Sequence, residues 1–162
     1  MDTKDFTSSI IVSQTPAEVF SAILNVRGWW SEEIEGGTSK EGDLFTYRYG
    51  DAHRCKMKLI EVIPNKVVVW HVLENYFSFI EEKEKEWTDD KVIFEISKVG
   101  DKTQLQMTHV GLTPQNECYS ACYDGWTYYI QTSLKSLIET GKGMPNAKET
   151  PRTATEKKLT GN

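Results

Sequence analysis

Three groups of residues in this 162-residue chain have types and spacing that could do chemistry. His109 closes a strand-like alternation, Leu105-x-Met107-x-His109, on a face that is otherwise apolar. An inward imidazole can hydrogen-bond a polar group of a ligand or move a proton. It can equally be a satisfied histidine at the rim of a core, and no Asp or Glu is marked by its spacing as an orienting partner. Cys118 and Cys122 stand one helical turn apart and, with His109, could be drawn as metal ligands. A single cysteine pair, without a second pair or a His-x-x-x-His, does not make a zinc pattern. The expectation is therefore no metal, and two buried thiols on the inner side of a helix.

The third group is aromatic. Trp29, Trp30, Phe45, Tyr47, Trp70, Phe94 and Trp126 fall on faces expected to point inward, together with Met57 and Met107. Rigid rings frame pockets and also simply fill cores, while methionine thioethers adapt to varied ligands. With His109 and Cys122, these residues are the candidate wall of a binding cavity. Gly125 precedes Trp126 in mid-helix, where glycine costs about 1 kcal/mol relative to alanine; close packing and simple tolerance are both open readings. No nucleophile elbow or phosphate-cradling glycine loop is present, so neither a catalytic set nor a cofactor is expected.

The elements that must position these groups follow from periodicity. Ile10 and Val12 mark a first strand, and Thr15-Pro16-Ala17-Glu18 carries the signals of a capped helix start. Val19, Phe20, Ile23 and Leu24 then form an apolar stripe, and a second short helix carries Val26 to Trp30. From Asp43 the period becomes two: strands are predicted at Phe45–Tyr49, His53–Ile63, Lys66–Glu74, Lys91–Val99 and Thr103–Val110, with turns at Pro64-Asn65 and Gly100-Asp101. From Pro114 to Gly141, apolar residues recur at helical spacing, predicting one long helix. Strands with one polar face need a cover, and only that helix has enough apolar surface. The class is α+β, a curved antiparallel sheet wrapped on a long C-terminal helix. Asn75 to Ile80 is dense in aromatics and extends a hairpin or folds over the cavity as a lid; both remain open.

Composition bounds the rest. A net charge of -5 and scattered Lys and Arg argue against nucleic acid. No stretch has the roughly 20 apolar residues of a membrane span, and the N-terminus lacks the apolar core of a signal peptide. Three cysteines without framework spacing suit reduced thiols, so a cytoplasmic location is expected. Residues 1–144 read as one domain without internal repeats. Residues 145–162, whose only aliphatic side chains are Ala147, Ala154 and Leu159, read as a flexible polar tail.

Trp29-Trp30 after the first helix, the strand Asp90–Ile96 after Trp87, Met107-Thr108-His109-Val110-Gly111-Leu112, and Gly125-Trp126 with Ser133-Leu134-Lys135 occur in one order. Together they resemble the START-like (SRPBCC) superfamily, in the branch homologous to the activator of the heat-shock protein 90 ATPase, over residues 6–142. The resemblance implies a β-α-α-β(6)-α helix-grip fold with a deep hydrophobic cavity, around which Trp29, Trp30, Gly125 and Trp126 match family positions. It implies binding of a small hydrophobic molecule of lipid, polyketide or aromatic type. Two alternatives accompany it: a cyclase- or dehydratase-like enzyme using His109 with Tyr47 or Tyr123, and a stress-response module contacting a chaperone. The eukaryotic activators carry a separate N-terminal domain for which this chain has no room, so co-chaperone activity is not carried over.

Overall fold

The computed structural model describes residues 4–147 and 150–159. Strand β1 (Phe6–Val12) leads into α1 (Pro16–Leu24) and α2 (Val26–Trp29). Then come β2 (Ile34–Gly36), β3 (Leu44–Tyr49), β4 (His53–Ile63), β5 (Val67–Phe77), β6 (Lys91–Val99) and β7 (Lys102–Val110). One continuous helix comes next, built of α3 (Tyr119–Tyr128), a π-helical turn (Tyr129–Leu134) and α4 (Lys135–Thr140), and a last short helix is α5 (Ala154–Leu159).

Local chemistry accounts for the element ends. The Thr15 hydroxyl accepts from the Glu18 amide at 3.2 Å, and Glu18 returns a bond to the Thr15 amide at 3.3 Å, the reciprocal capping expected of this sequence. Asn65 takes the left-handed φ of 65° that closes the β4–β5 hairpin. The long helix ends where Gly141, at φ 84°, returns its N–H to Leu137. Its start lies later than the Pro114 expected from periodicity. Thr113 and Asn116 bond each other's backbone and side chain in a tight turn, and this holds residues 113–117 out of the helix.

All neighbouring strands are antiparallel, in the order β1-β7-β6-β5-β4-β3-β2. This is the helix-grip arrangement. The three-residue β2 is too short to show a period, which is why the alternation pattern does not reveal it. The burial alternation of β3, β6 and β7 puts Phe45, Tyr47, Val92, Phe94, Ile96, Leu105, Met107 and His109 on the inner face. The long helix crosses that face and buries Trp126, Ile130, Leu134 and Ile138.

Curvature has a specific origin. Register slips between Lys56 and Met57 and between Leu59 and Glu61 insert an extra residue first on β5 and then on β4, and bulges of this kind bend a strand pair. Beyond His71, β5 leaves β6 and continues with β4 alone, as far as Phe77 opposite His53. Residues 78–90 occupy the gap. Asn75 to Phe77 therefore extend the strand, and the residues after Phe77 form an irregular loop rather than a long hairpin. Glu86 pins this loop to the helix: its carboxylate accepts from the amides of Glu117 and Cys118 at 2.7 and 2.8 Å.

The segment after residue 144, expected to be a flexible polar tail, carries packed residues. Asn146 is fully buried and bridges to Ser31, and α5 packs so that Thr153 and Glu156 are buried. Counting apolar residues missed this because the segment docks by hydrogen bonds. Residues 148–149 and 160–162 of that tail lie outside the described residues.

Candidate functional site

The sheet opens where β5 and β6 part, and an aromatic cavity of about 70 Å³ lies between that opening and the long helix. Tyr47, His53 and Phe77 reach it from the strands, and Phe79 and Trp87 from the loop. Ala121, Cys122, Gly125, Trp126 and Tyr129 line it from the helix, with Trp30 at its inner end. Thr153, Thr155, Glu156 and Leu159 close it from the C-terminal segment.

Of the residues expected from sequence to form the wall, Trp30, Tyr47, Cys122 and Trp126 meet at this cavity. The others are placed differently. Trp29, Phe45, Met57, Trp70, Phe94 and Met107 are at most 1% exposed and pack on one another beneath it. Trp29 stacks on Trp70 at 6.2 Å, while Phe45 and Phe94 meet the Trp70 ring edge-on at 5.2 and 4.8 Å. Alternation establishes that a side chain points inward. It does not say whether the space there is filled. Trp30 forms the boundary between the two regions, stacked on Tyr47 at 4.3 Å and against Trp126 at 5.3 Å.

His109 lies behind the cavity wall and is fully buried. The Trp126 indole N–H donates to its Nδ1 at 3.0 Å. Because an indole is only a donor, Nδ1 carries no proton, and Nε2–H donates to Asp90 Oδ2 at 2.9 Å. Asp90 is the orienting carboxylate that spacing did not reveal. It stands at the entry to β6, one strand away and next to the left-handed Gly111, where any Cβ would collide with the Asp90 carboxyl group. Asp90, His109 and Trp126 form a relay that fixes the Trp126 ring. Trp87, at a left-handed φ of 77° that is uncommon for a bulky residue, stacks on that ring at 5.6 Å.

His53 was not among the sequence candidates. Its Nε2 lies 2.8 Å from Asn75 Oδ1, and the Asn75 amide nitrogen donates to the Glu86 carbonyl, so Nε2 is the donor of the pair. Burial among Tyr47, Phe77 and Trp87 pulls its pKa down to about 3, against the opposing Asn75 bond. It is a neutral polar wall.

The remaining polar groups converge at the C-terminal side. The π-helical turn adds a residue to the helix at Tyr129 and aims its hydroxyl at Glu156 Oε2, to which it donates at 2.5 Å. Asn146 Nδ2 donates to the Tyr129 hydroxyl at 2.8 Å and lies 3.3 Å from that of Tyr47. Burial first, and the Glu156 charge second, push both tyrosine hydroxyls well above their usual range, so both remain protonated donors. Thr153-Ala154-Thr155-Glu156 repeats the capping signature of Thr15–Glu18, and the same reciprocal bonds form, at 3.1 and 3.3 Å. That signature was the available sign that the tail contains a helix.

Cys118 and Cys122 are buried with their sulfurs 2.8 Å apart. The hydrogen bond to Cys122, then burial, push the Cys118 thiol far up. A neutral thiol is a poor metal ligand, and no group of three potential ligands gathers among the described residues. Tyr123 is nearly half exposed and packs edge-on against Phe6, away from the cavity. A broader groove of about 970 Å³ runs over the outer face of β3–β5, where Arg48, Arg54 and Lys56 alternate with Glu33, Glu35 and Glu74. Charges of both signs interleave there, so no single-signed field forms.

Gly125 lines the cavity, and a Cβ built on it would meet no atom within 4 Å. Gly125→Ala is therefore expected to stabilise the fold by about 0.5–1 kcal/mol through helix propensity while adding a methyl group to the cavity wall. Urea unfolding checks the first effect, and a crystal structure of the variant the second. A destabilised variant would contradict the open space at this position.

The family described as Activator of Hsp90 ATPase homolog 1-like protein matches residues 13–139. No curated protein matches the sequence. Among solved structures, the Aha1 dimer from Colwellia psychrerythraea is similar at a TM-score of 0.69 and 22% identity, over 87% of this chain and all of that one. SSP2350 from Staphylococcus saprophyticus has a TM-score of 0.64 at 18% identity, covering 89% and 98% of the two chains. CalU16 from Micromonospora echinospora gives 0.59 at 18%, over 85% and 77%. At such identities the likeness is one of fold.

Proposed function

Because the chain belongs to the family of Activator of Hsp90 ATPase homolog 1-like proteins, we propose that it binds a small, largely apolar molecule in the cavity between sheet and long helix without transforming it. The observation that carries this reading is the cavity itself. Aromatic rings from strands, loop and helix converge where β5 leaves β6, and Gly125 leaves helix backbone uncovered beside them. A core built only for stability would fill that space, since interiors pack like organic crystals. The fixed left-handed backbone of Trp87 also concentrates strain at this wall.

The non-catalytic part of the reading rests on His109. Both of its nitrogens are engaged by Trp126 and Asp90 behind the wall, so the imidazole offers a substrate neither a free base nor a free donor. Asp90 and His109 thus act on a ligand only by holding the Trp126 ring in place. No helix among the described residues is long and apolar enough to cross a membrane; a cytoplasmic location remains part of this proposal.

The test is a titration with fatty acids, sterols and flavonoid-like aromatics, monitored by tryptophan fluorescence and by NMR of the indole N–H signals. Saturable binding should shift the Trp30, Trp87 and Trp126 signals and leave those of Trp29 and Trp70 nearly unchanged. If no compound of the panel moves any of the first three, the proposal fails.

A further inference from the structure

A carboxylate stands in this aromatic cavity, and it belongs to the chain itself. Glu156 is 8% exposed. Its Oε1 accepts from the amides of Arg152 and Thr153, which are the start of its own helix. Its Oε2 accepts instead from the body of the protein, from Tyr129 at 2.5 Å and Asn146 at 3.2 Å. Burying a carboxylate is expensive unless it is hydrogen-bonded, and these neutral donors contribute to meeting that need.

The donors do not depend on α5. Tyr129 sits on the long helix and Tyr47 on β3. Asn146 is fixed by its backbone, donating to the Trp30 carbonyl and accepting from the Glu32 amide, both at 2.9 Å. Its Oδ1 is buried with no partner among the described residues, so the cluster is not closed upon itself. The segment that brings the carboxylate is lightly held by comparison. Among the described residues after Asn146, Thr153 and Glu156 are the buried ones, Ala147 is half-buried, and Leu159 is 37% exposed. A six-residue helix has no stability of its own.

Size decides what must move. The cavity of about 70 Å³ has room for roughly two waters at about 30 Å³ each, whereas pockets for whole organic ligands begin near 300 Å³. Thr153, Thr155, Glu156 and Leu159 are the part of the lining that one short segment contributes, so its departure would enlarge the cavity without disturbing the sheet or the long helix.

We propose that residues 150–159 are a displaceable plug in which Glu156 holds the place of a ligand's acid group. The cavity then takes a monocarboxylic acid with a compact aromatic or cyclic body. Its carboxylate is received by Tyr47, Tyr129 and Asn146, and its body lies against Trp30 and Trp126. This rests on the ligand-binding reading above and adds to it the class of ligand and the way the site is gated.

The test uses full-length wild type, Glu156→Ala and the near-isosteric Glu156→Gln, with 3-phenylpropionate and its neutral counterpart 3-phenylpropan-1-ol as probes. A tethered competitor acts at roughly millimolar effective concentration, so removing it should tighten apparent acid binding by about tenfold or more. In Glu156→Ala the acid should bind about tenfold more tightly than the alcohol, a difference of about 1.4 kcal/mol. Adding Tyr129→Phe should erase most of that preference. Glu156→Gln, which keeps the side-chain shape, should gain less and guards against a folding defect in Glu156→Ala. In wild type, the acid should speed tryptic cleavage after Arg152. If Glu156→Ala binds acid and alcohol equally, the carboxylate site is overturned while the cavity reading stands. If neither probe binds either folded variant, both are overturned.

Discussion

Trp70→Ala is expected to lower the free energy of unfolding by about 3–5 kcal/mol, the usual loss for deleting a buried tryptophan, and to leave the proposed ligand cavity in place. Trp70 is fully buried and touches Trp29, Trp30, Phe45 and Phe94 through its ring. All four neighbours are anchored in elements other than its own, so they cannot close fully over the void. The indole nitrogen of Trp70 has no hydrogen-bond partner among the described residues. Trp70→Phe should therefore recover part of the loss, because only ring volume is missing. Chemical denaturation gives both values, and the probe titration reports on the cavity. A loss below about 1 kcal/mol would mean that the stack collapses freely. Loss of binding in a still-folded Trp70→Ala would move the ligand site into the core around Trp29 and Phe94.

The second large effect is a pH dependence carried by His53. Its folded pKa of about 3 lies below the usual 6.5, because burial disfavours the imidazolium. Between those values the unfolded chain binds a proton that the native state refuses, so stability falls as pH is lowered. The contribution is complete above pH 6.5 and is lost progressively toward pH 3. By about pH 5 the loss should reach about 2 kcal/mol, from 1.5 units at 1.36 kcal/mol each. Its immediate surroundings are Asn75, Tyr47, Phe77 and Trp87, and none of these supplies a compensating negative charge. In His53→Gln this part of the pH dependence should vanish. A wild-type Tm unchanged between about pH 7 and pH 5 would contradict the half-buried neutral imidazole.

Trp70 and His53 sit on opposite sides of a distinction that the sequence could not draw. Trp70 and Tyr47 have the same signature there, an aromatic on the inward phase of a strand. Only the bulges in β4 and β5, and the separation of β5 from β6, place one under the helix and the other at an opening. The same holds for His53 and Trp87, which meet across the gap although 34 positions separate them in the chain.

The sequence by itself determined the architecture: alternation with one polar face for the strands, helical spacing up to Gly141, and a capping box at Thr15. These signals are local, because the period of a side chain follows from the backbone geometry of its own element. The family resemblance, read from Trp29-Trp30 and Gly125-Trp126, agrees with the match over residues 13–139. Tertiary structure alone decided which inward residues line a space and which fill it, for that depends on how far two surfaces diverge. It alone joined Asp90 to His109, since the neighbouring strand brings them together. It also turned the tail from a polar run into the closure of the cavity, because a carboxylate has a place in an aromatic cavity only once Tyr129 and Asn146 are there to receive it.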